Sequence, residues 1–148
     1  PGPDILFSHR FPTADGPAKL VPAHPLPPDE LPDADFPLVL TTGRLLEHWH
    51  TGSMSRRSGL LDRLESGAIA VMNPVEIQRL GRHSGDRIAL ETRRGRIEAL
   101  LRPAPAMPEG MVFVPFAFNE GAANRLTNPA LDPFGKIPEL KYCAARLV

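Results

Sequence analysis

The chain has 148 residues, enough for one domain with or without an arm, and its 42% of hydrophobic residues can fill a packed core. Its 17 basic and 17 acidic side chains cancel, which argues against long-range attraction to nucleic acid or to an anionic membrane. Because Cys143 is the one cysteine, an intramolecular disulfide is excluded and a thiolate zinc site is disfavoured.

The first predicted element is an extended arm over residues 1–36. Ten of the 18 prolines lie in the first 40 residues. Proline lacks the backbone donor and fixes φ, so residues 22–32 can form neither a helix nor a central strand. We predict that this arm either covers the domain or links it to something upstream, and that residues 37–148 form the domain itself.

Short apolar runs beyond the arm predict strands. They lie at residues 37–41, 68–72, 87–92, 97–101, 111–115 and 142–148. A turn at Arg94-Gly95 joins two of them into a hairpin, whose charges Arg93, Arg94 and Arg96 are expected to be solvated. One or two helical turns are predicted within residues 58–64.

The clearest predicted helix begins after Asn73. Asn73 is a good N-cap, Pro74 suits the first helical position, and Glu76 stands where a capping-box carboxylate belongs. Gly81 is expected to end the helix, and the apolar side is expected to comprise Val75, Ile77 and Leu80. Six short strands with one clear helix predict a mainly β fold, a small barrel with inserted helices.

A polar loop follows the first predicted strand. Residues 41–57 are dense in hydroxyls, glycines, arginines and imidazoles. Glycine lets backbone N–H groups approach a phosphate, hydroxyls donate to phosphate oxygens, and arginine donates as a fork. This is the chemistry of a pyrophosphate cradle, although no Gly-Lys-Ser/Thr follows to make a Walker A loop. By residue type alone, an ordinary polar loop is the simpler interpretation.

Two histidines in this loop, His48 and His50, could chelate a metal on a strand, where positions i and i+2 share a face. No nearby carboxylate and histidine set completes such a site, and His83 lies on another loop. We therefore predict no metal site and expect the pair to hydrogen-bond a ligand or the backbone. Cys143 is expected to be a small buried side chain. No triad or carboxylate pair stands out, so no catalytic residue is predicted.

Two aromatic residues, Phe116 and Phe118, precede a run of amides that includes Asn119, Asn124 and Asn128. Amides both donate and accept, which suits the edge of a pterin or a purine. A surface loop with Asx-type turns is the simpler interpretation of the run when it is taken alone.

Together these segments resemble the dimethyl-sulfoxide-reductase family of molybdopterin enzymes over nearly the whole chain. The motifs, in order, are Phe11-Pro12 with residues 15–19, Thr42-Gly43-Arg44 with residues 48–57, Asn73-Pro74, Leu80-Gly81, Ser84-Gly85-Asp86, Arg93-Arg94-Gly95, Leu126-Thr127-Asn128, Leu131-Asp132-Pro133 and residues 136–144. The resemblance implies a double-psi β-barrel of the aspartate-decarboxylase-like type. It also implies a C-terminal domain that binds molybdopterin guanine dinucleotide and is not catalytic alone.

The resemblance assigns cofactor contacts by position. Contacts to the pyrophosphate and pterin are implied for Thr42, Gly43, Arg44, Leu45, Glu47, His48, Trp49, His50, Thr51 and Ser53. Asn124 and Lys141 would reach the pterin or its phosphate, and Phe116 would lie near a substrate funnel. The family's metal-ligating cysteine or selenocysteine and its iron–sulfur motif lie in other domains, so Cys143 is not expected to bind the metal.

The implied subfamily is the formate dehydrogenases. Residues 47–54 resemble both formate dehydrogenases and periplasmic nitrate reductase-like members, whereas residues 128–133 and 136–139 are closer to formate dehydrogenases. The implied parent is a bacterial enzyme that carries molybdenum or tungsten and iron–sulfur clusters. Its implied partners are upstream domains of the same polypeptide and electron-transfer subunits. The same domain of a nitrate reductase-like enzyme, or a non-catalytic double-psi barrel adaptor, stays open.

Two features of the sequence bear on the cellular location. No apolar run approaches the roughly 20 residues that span a bilayer, and no signal peptide is visible. Because the chain starts at Pro1 rather than Met, we expect a fragment or a processed product, and the missing signal then says nothing of the parent. We expect a cytoplasmic location without membrane insertion, and the periplasm stays open.

Overall fold

Six strands close into a barrel in this computed structural model, which describes residue 2 and residues 4–148. The strands are β1 (Leu38–Gly43), β2 (Ile69–Met72), β3 (Arg87–Thr92), β4 (Gly95–Pro103), β5 (Met111–Pro115) and β6 (Cys143–Leu147). Their order around the barrel is β1-β5-β2-β4-β3-β6. The pairs β1–β5 and β2–β4 are parallel and the other four are antiparallel. The predicted mainly β barrel with inserted helices is confirmed.

The core fills the inside of this barrel. In β4 the burial alternates as a half-buried strand requires, with Ile97, Ala99 and Leu101 each 4% exposed or less. Larger side chains from the other strands meet them, including Leu40 and Val112. Two strands run further than their apolar runs predict, β1 to Gly43 and β4 to Pro103, because each continues in register with a partner strand.

Two short helices are inserted between strands, α1 (Gly59–Leu64) and α2 (Pro74–Arg79). The predicted N-cap of α2 is confirmed, since Asn73 Oδ1 accepts from the Val75 N–H at 2.9 Å. The positive φ of Gly81 (65°) follows the helix, as expected of a terminating glycine.

The predicted capping box and apolar side of α2 are wrong. The Glu76 carboxylate accepts from the Gly110 N–H at 3.0 Å instead of reaching back to the cap. Ile77 is 4% exposed, but Val75 and Leu80 are 49% and 40% exposed. A helix of six residues makes fewer than two turns, and Ile77 is the apolar residue that it buries, next to the buried Glu76.

Helix α2 lies at the opposite end of the barrel from the carboxyl ends of β1 and β5. Strand β2 is antiparallel to β5 and its last residue, Met72, pairs with Val112 near the start of β5. The helix begins at Pro74, two residues after the end of β2. Substitutions in α2 are therefore useful controls for effects at the other end.

The last third of the arm lies against the barrel. Glu30 accepts hydrogen bonds from Arg93 at 2.5 Å and from Arg94 at 2.6 Å, and Asp33 also pairs with Arg93. The Phe36 ring lies 4.5 Å from the guanidinium carbon of Arg93. The expectation that Arg93 and Arg94 are merely solvated is therefore wrong, because a segment distant in sequence supplies their partners.

Within residues 4–36 the structure contains neither helix nor strand, in agreement with the proline content. Pro1 and Pro3 lie outside the described residues. The division of the chain into an arm (1–36) and a barrel domain (37–148) stays a prediction. No helix in the described part of the chain is long and apolar enough to cross a membrane.

Candidate functional site

The candidate site forms where β1 and β5 end. These parallel strands pair in register up to Gly43 and Pro115, so the chain leaves both at the same edge of the barrel. The Phe116 N–H donates to the Gly43 carbonyl at 3.1 Å. A Cβ on Gly43 would lie 2.6 Å from the Phe113 ring, which explains why this position needs glycine. Residues 44–54 and 116–124 are thereby brought together.

A third segment reaches the same edge just before β6. The Lys141 ammonium donates to the Thr42 carbonyl at 2.9 Å, and the Thr42 hydroxyl donates to the Leu140 carbonyl at 2.7 Å. Thr42 is only 5% exposed. Its hydroxyl therefore fastens two segments of the protein to each other, and Lys141 is held beside the end of β1.

Aromatic and cationic side chains cluster on the outside of this edge. Arg44 Nη2 donates to His50 Nε2 at 3.1 Å, and the Arg44 guanidinium carbon lies 5.7 Å from the centroid of the Trp49 ring. The centroids of the His50 and Phe116 rings are 6.4 Å apart, and the two ring planes form an angle of 30°. Since arginine can only donate, His50 Nε2 is the acceptor in this contact.

His48 points into the protein instead. It is 1% exposed and its Nε2 donates to the Glu65 carbonyl at 2.7 Å. Its Nδ1 accepts from the Ser55 hydroxyl at 3.2 Å, and Ser55 Oγ in turn accepts from the Trp49 N–H at 3.0 Å. The expected hydrogen bond to the backbone is confirmed for His48. The two histidines do not share a face, because β1 ends at Gly43 and both lie in the loop beyond it, where His50 has a positive φ of 50°.

A cavity of about 360 Å³ opens between the loops. Its lining comprises Thr51, Phe116, Phe118, Asn119, Ala122, Ala123, Asn124 and Leu140. Three predicted site residues, Thr51, Phe116 and Asn124, thus share one cavity. Sequence reasoning did not assign Phe118, Asn119 and Leu140 to the site, although the aromatic and amide run held the signal for the first two.

The remaining predicted residues differ in exposure. Leu45 packs against the core, Glu47 is half-buried and Ser53 is exposed. Trp49 is 61% exposed. Larger cavities of about 600 and 440 Å³ lie against the arm and beside α2, but no predicted site residue lines either of them.

The part of the chain that the structure describes offers this edge neither a cluster of metal ligands nor an exposed thiol. Among residue 2 and residues 4–148, no group of three or more His, Cys, Asp or Glu could hold a metal ion. Cys143 is 1% exposed and its thiol donates to the Leu126 carbonyl at 3.4 Å. Burial raises the pKa of the Cys143 thiol, which keeps it protonated.

Comparison with known proteins identifies a family that this chain matches. The family described as Molydopterin dinucleotide binding domain matches residues 38–144. The F420-dependent formate dehydrogenase 1 subunit alpha of Methanococcus maripaludis is 40% identical over 148 residues, which are 99% of this chain and 22% of the relative. The F420-dependent formate dehydrogenase subunit alpha of Methanocaldococcus jannaschii is 42% identical over 147 residues, with the same shares.

The chain therefore spans about a fifth of the length of these relatives. Neither relative is bacterial, so the expected bacterial origin gains no support from them. Among solved structures, acetylene hydratase from Pelobacter acetylenicus matches with a TM-score of 0.68 and 25% identity, over 76% of this chain and 18% of that one. With the closed six-stranded barrel, this likeness confirms the predicted double-psi fold.

Proposed function

Because the chain belongs to the Molydopterin dinucleotide binding domain family, we propose that residues 42–54, 116–124 and 140–141 form its cofactor site. The observation that carries this proposal is the parallel pairing of β1 with β5, which places the polar loop and the amide run at one edge. The cofactor is molybdopterin guanine dinucleotide, and the domain binds it without being catalytic alone.

The residues at this edge fit such a group in their chemistry. Asn119 and Asn124 offer amides to a heterocycle edge, and Phe116 offers an aromatic wall to the same cavity. Arg44 and Lys141 place positive charge near the end of β1, where a pyrophosphate would be stabilised. A cavity of about 360 Å³ accommodates a part of a dinucleotide, the rest of which needs surface beyond this domain.

We propose two kinds of role for the predicted residues. Direct contact is proposed for Gly43, Arg44, Glu47, Trp49, His50, Thr51, Ser53, Asn124 and Lys141. Thr42, Leu45 and His48 are buried or partly buried and committed to internal contacts, so they hold the loop in place from within. Phe116, which lines the cavity, is proposed to lie near the path of the substrate.

For the complete enzyme we propose formate oxidation. The support is the 40% and 42% identity to formate dehydrogenase alpha subunits across 99% of this chain. When bound, the cofactor supplies a molybdenum or tungsten centre that takes two electrons from the substrate. Upstream domains of the same polypeptide would provide the metal ligand and iron–sulfur clusters, and separate subunits in the cytoplasm would accept the electrons. An enzyme that reduces nitrate and leaves formate untouched would refute this substrate.

The cofactor site is tested by substitution in the complete enzyme. We expect Arg44→Ala and Lys141→Ala each to lower the content of metal and of released guanine nucleotide by roughly tenfold or more, because each removes a charge-assisted donor worth about 1.5–3 kcal/mol. Arg79→Ala in α2, at the opposite end of the barrel, is the control and should retain full content. Full content in both site variants would contradict the assignment.

A further inference from the structure

Arg56 contacts both loops of the candidate site although no cofactor contact is proposed for it. Its Nη1 donates to Glu120 at 2.7 Å and its Nε to Asp62 at 3.0 Å. Its Nη2 donates to the Ser66 carbonyl at 3.4 Å, so all three nitrogens of the guanidinium are bonded to the protein. The side chain is 26% exposed. Arg56 is thus committed internally, unlike Arg44, which lies exposed at the edge of the site.

The contact continues through Phe118, which lines the cavity. The Arg56 guanidinium carbon lies 5.0 Å from the centroid of the Phe118 ring, and His48 meets that ring edge-on at 5.5 Å. The backbone N–H of Arg56 donates to the Gly52 carbonyl at 2.9 Å. A Cβ on Gly52 would lie 2.5 Å from the Ala117 carbonyl oxygen, so the two loops approach each other as closely as backbone allows.

We propose that Arg56 is a positioning residue of the cofactor site, because it joins the loop that carries Thr51 to the loop that carries Phe116, Asn119 and Asn124. Both loops contribute residues to the lining of the cavity. The ion pair with Glu120 fixes the distance between the two loops before any ligand arrives. This inference rests on the cofactor-binding role proposed for the same edge.

Electrostatics favours a persistent contact between Arg56 and Glu120. The hydrogen bond from Arg56 lowers the pKa of Glu120, and the hydrogen bonds to Glu120 and then Asp62 raise the pKa of Arg56. Both groups therefore stay ionised around neutral pH. Removal of Arg56 would also leave the Glu120 and Asp62 carboxylates close together without the cation between them, and their repulsion would push the loops apart.

The single tryptophan of the chain reports on this contact without any ligand. Trp49 lies on the loop that Arg56 restrains, and its backbone N–H donates to the Ser55 hydroxyl. In the 148-residue chain, we expect Arg56→Ala to raise the fast local component of the Trp49 fluorescence anisotropy decay roughly twofold, since freed loops move in nanoseconds. Arg56→Lys keeps one ion pair but loses the fork, so its value should be intermediate.

Arg79→Ala is the matched control, because Arg79 also bridges two carboxylates, Glu76 and Glu109, at the far end of the barrel. Its Trp49 decay should equal that of the wild type. If Arg56→Ala fails to fold by circular dichroism, Arg56→Lys and Glu120→Gln take its place. Trp49 motion that is unchanged in every folded variant overturns the proposal.

The second measurement is the cofactor content of the complete enzyme. We expect Arg56→Ala to reduce it roughly tenfold and Arg56→Lys to restore part of it. If Arg44→Ala and Lys141→Ala lose cofactor while Arg56→Ala keeps it, the site stands and the role of Arg56 is refuted. If all three variants keep full content, the proposed function of this edge fails instead.

Discussion

Single atoms decide how closely the segments of the candidate site can approach. Gly43 and Gly52 each lie where a Cβ would collide, with the Phe113 ring in one case and the Ala117 carbonyl in the other. Gly52 also has a φ of 74°, which L side chains rarely adopt. These glycines let the polar loop lie directly against β5 and the residues after it. The site is therefore shaped by missing side chains as much as by the polar groups it presents.

The close approach of Phe113 to Gly43 predicts a measurable loss of stability when a side chain is added there. We expect Gly43→Ala to lower the free energy of unfolding by about 1–3 kcal/mol, because the new methyl group must displace the Phe113 ring from a packed strand pair. Gly67→Ala is the control, since a Cβ there meets nothing within 4 Å. Denaturant titration of both variants measures the difference. Equal stability of the two would show that Phe113 yields without strain.

Elements in this chain were predictable where their signal is local. Asn73 caps α2 through a bond two residues away, and the apolar runs of β2 and β5 identify strands by themselves. Glu76 has a capping-box position but bonds Gly110, which tertiary packing brings near and no local pattern indicates. The shared cavity of Thr51 and Asn124 depends in the same way on β1 pairing with β5.

The arm is the element whose role was least determined by its sequence. Its prolines exclude regular structure, but the attachment of Glu30 to Arg93 and Arg94 joins residues 63 and 64 positions apart. The Arg94 side chain is 23% exposed, and its Nη2 is a buried atom without a hydrogen-bond partner among the residues that the structure describes. Glu30 therefore supplies a partner that the guanidinium of Arg94 cannot easily replace.

We expect Glu30→Ala to lower the free energy of unfolding by about 1–3 kcal/mol, because it leaves two arginines without their common acceptor. Glu109→Ala removes a more exposed pair with Arg79 and should cost about 0–1 kcal/mol. Chemical denaturation of the 148-residue variants distinguishes them. A Glu30 variant as stable as the Glu109 variant would mean that the arm is only loosely attached.

At the scale of the whole molecule, the topology gives the two ends of the barrel different roles. The carboxyl ends of the parallel β1–β5 pair carry the proposed cofactor residues, and the other end carries α2 with its own ion pairs. The closed barrel gives the site a rigid base, because every strand is bonded on both sides. The loops can then differ in sequence without loss of the scaffold.

Cys143 in β6 tests how firmly this barrel is closed. Burial raises the pKa of its thiol, so the reactive thiolate is scarce in the folded protein at neutral pH. We expect iodoacetamide to modify the native 148-residue chain at least roughly a hundredfold more slowly than the same chain in denaturant. Mass spectrometry over time measures both rates. Similar rates would show that β6 detaches readily on its own.

Strand β6 also sets the order of events during biosynthesis. It is bonded to β1 on one side and to β3 on the other, and it follows all the other strands along the chain. A ribosome therefore releases five strands before the one that closes the barrel. Until then, the edge of β1 that pairs with β6 stays unpaired. Pairing of such distant segments is slow, and an open edge invites aggregation. The nascent domain should consequently depend on chaperones until its final strand has emerged.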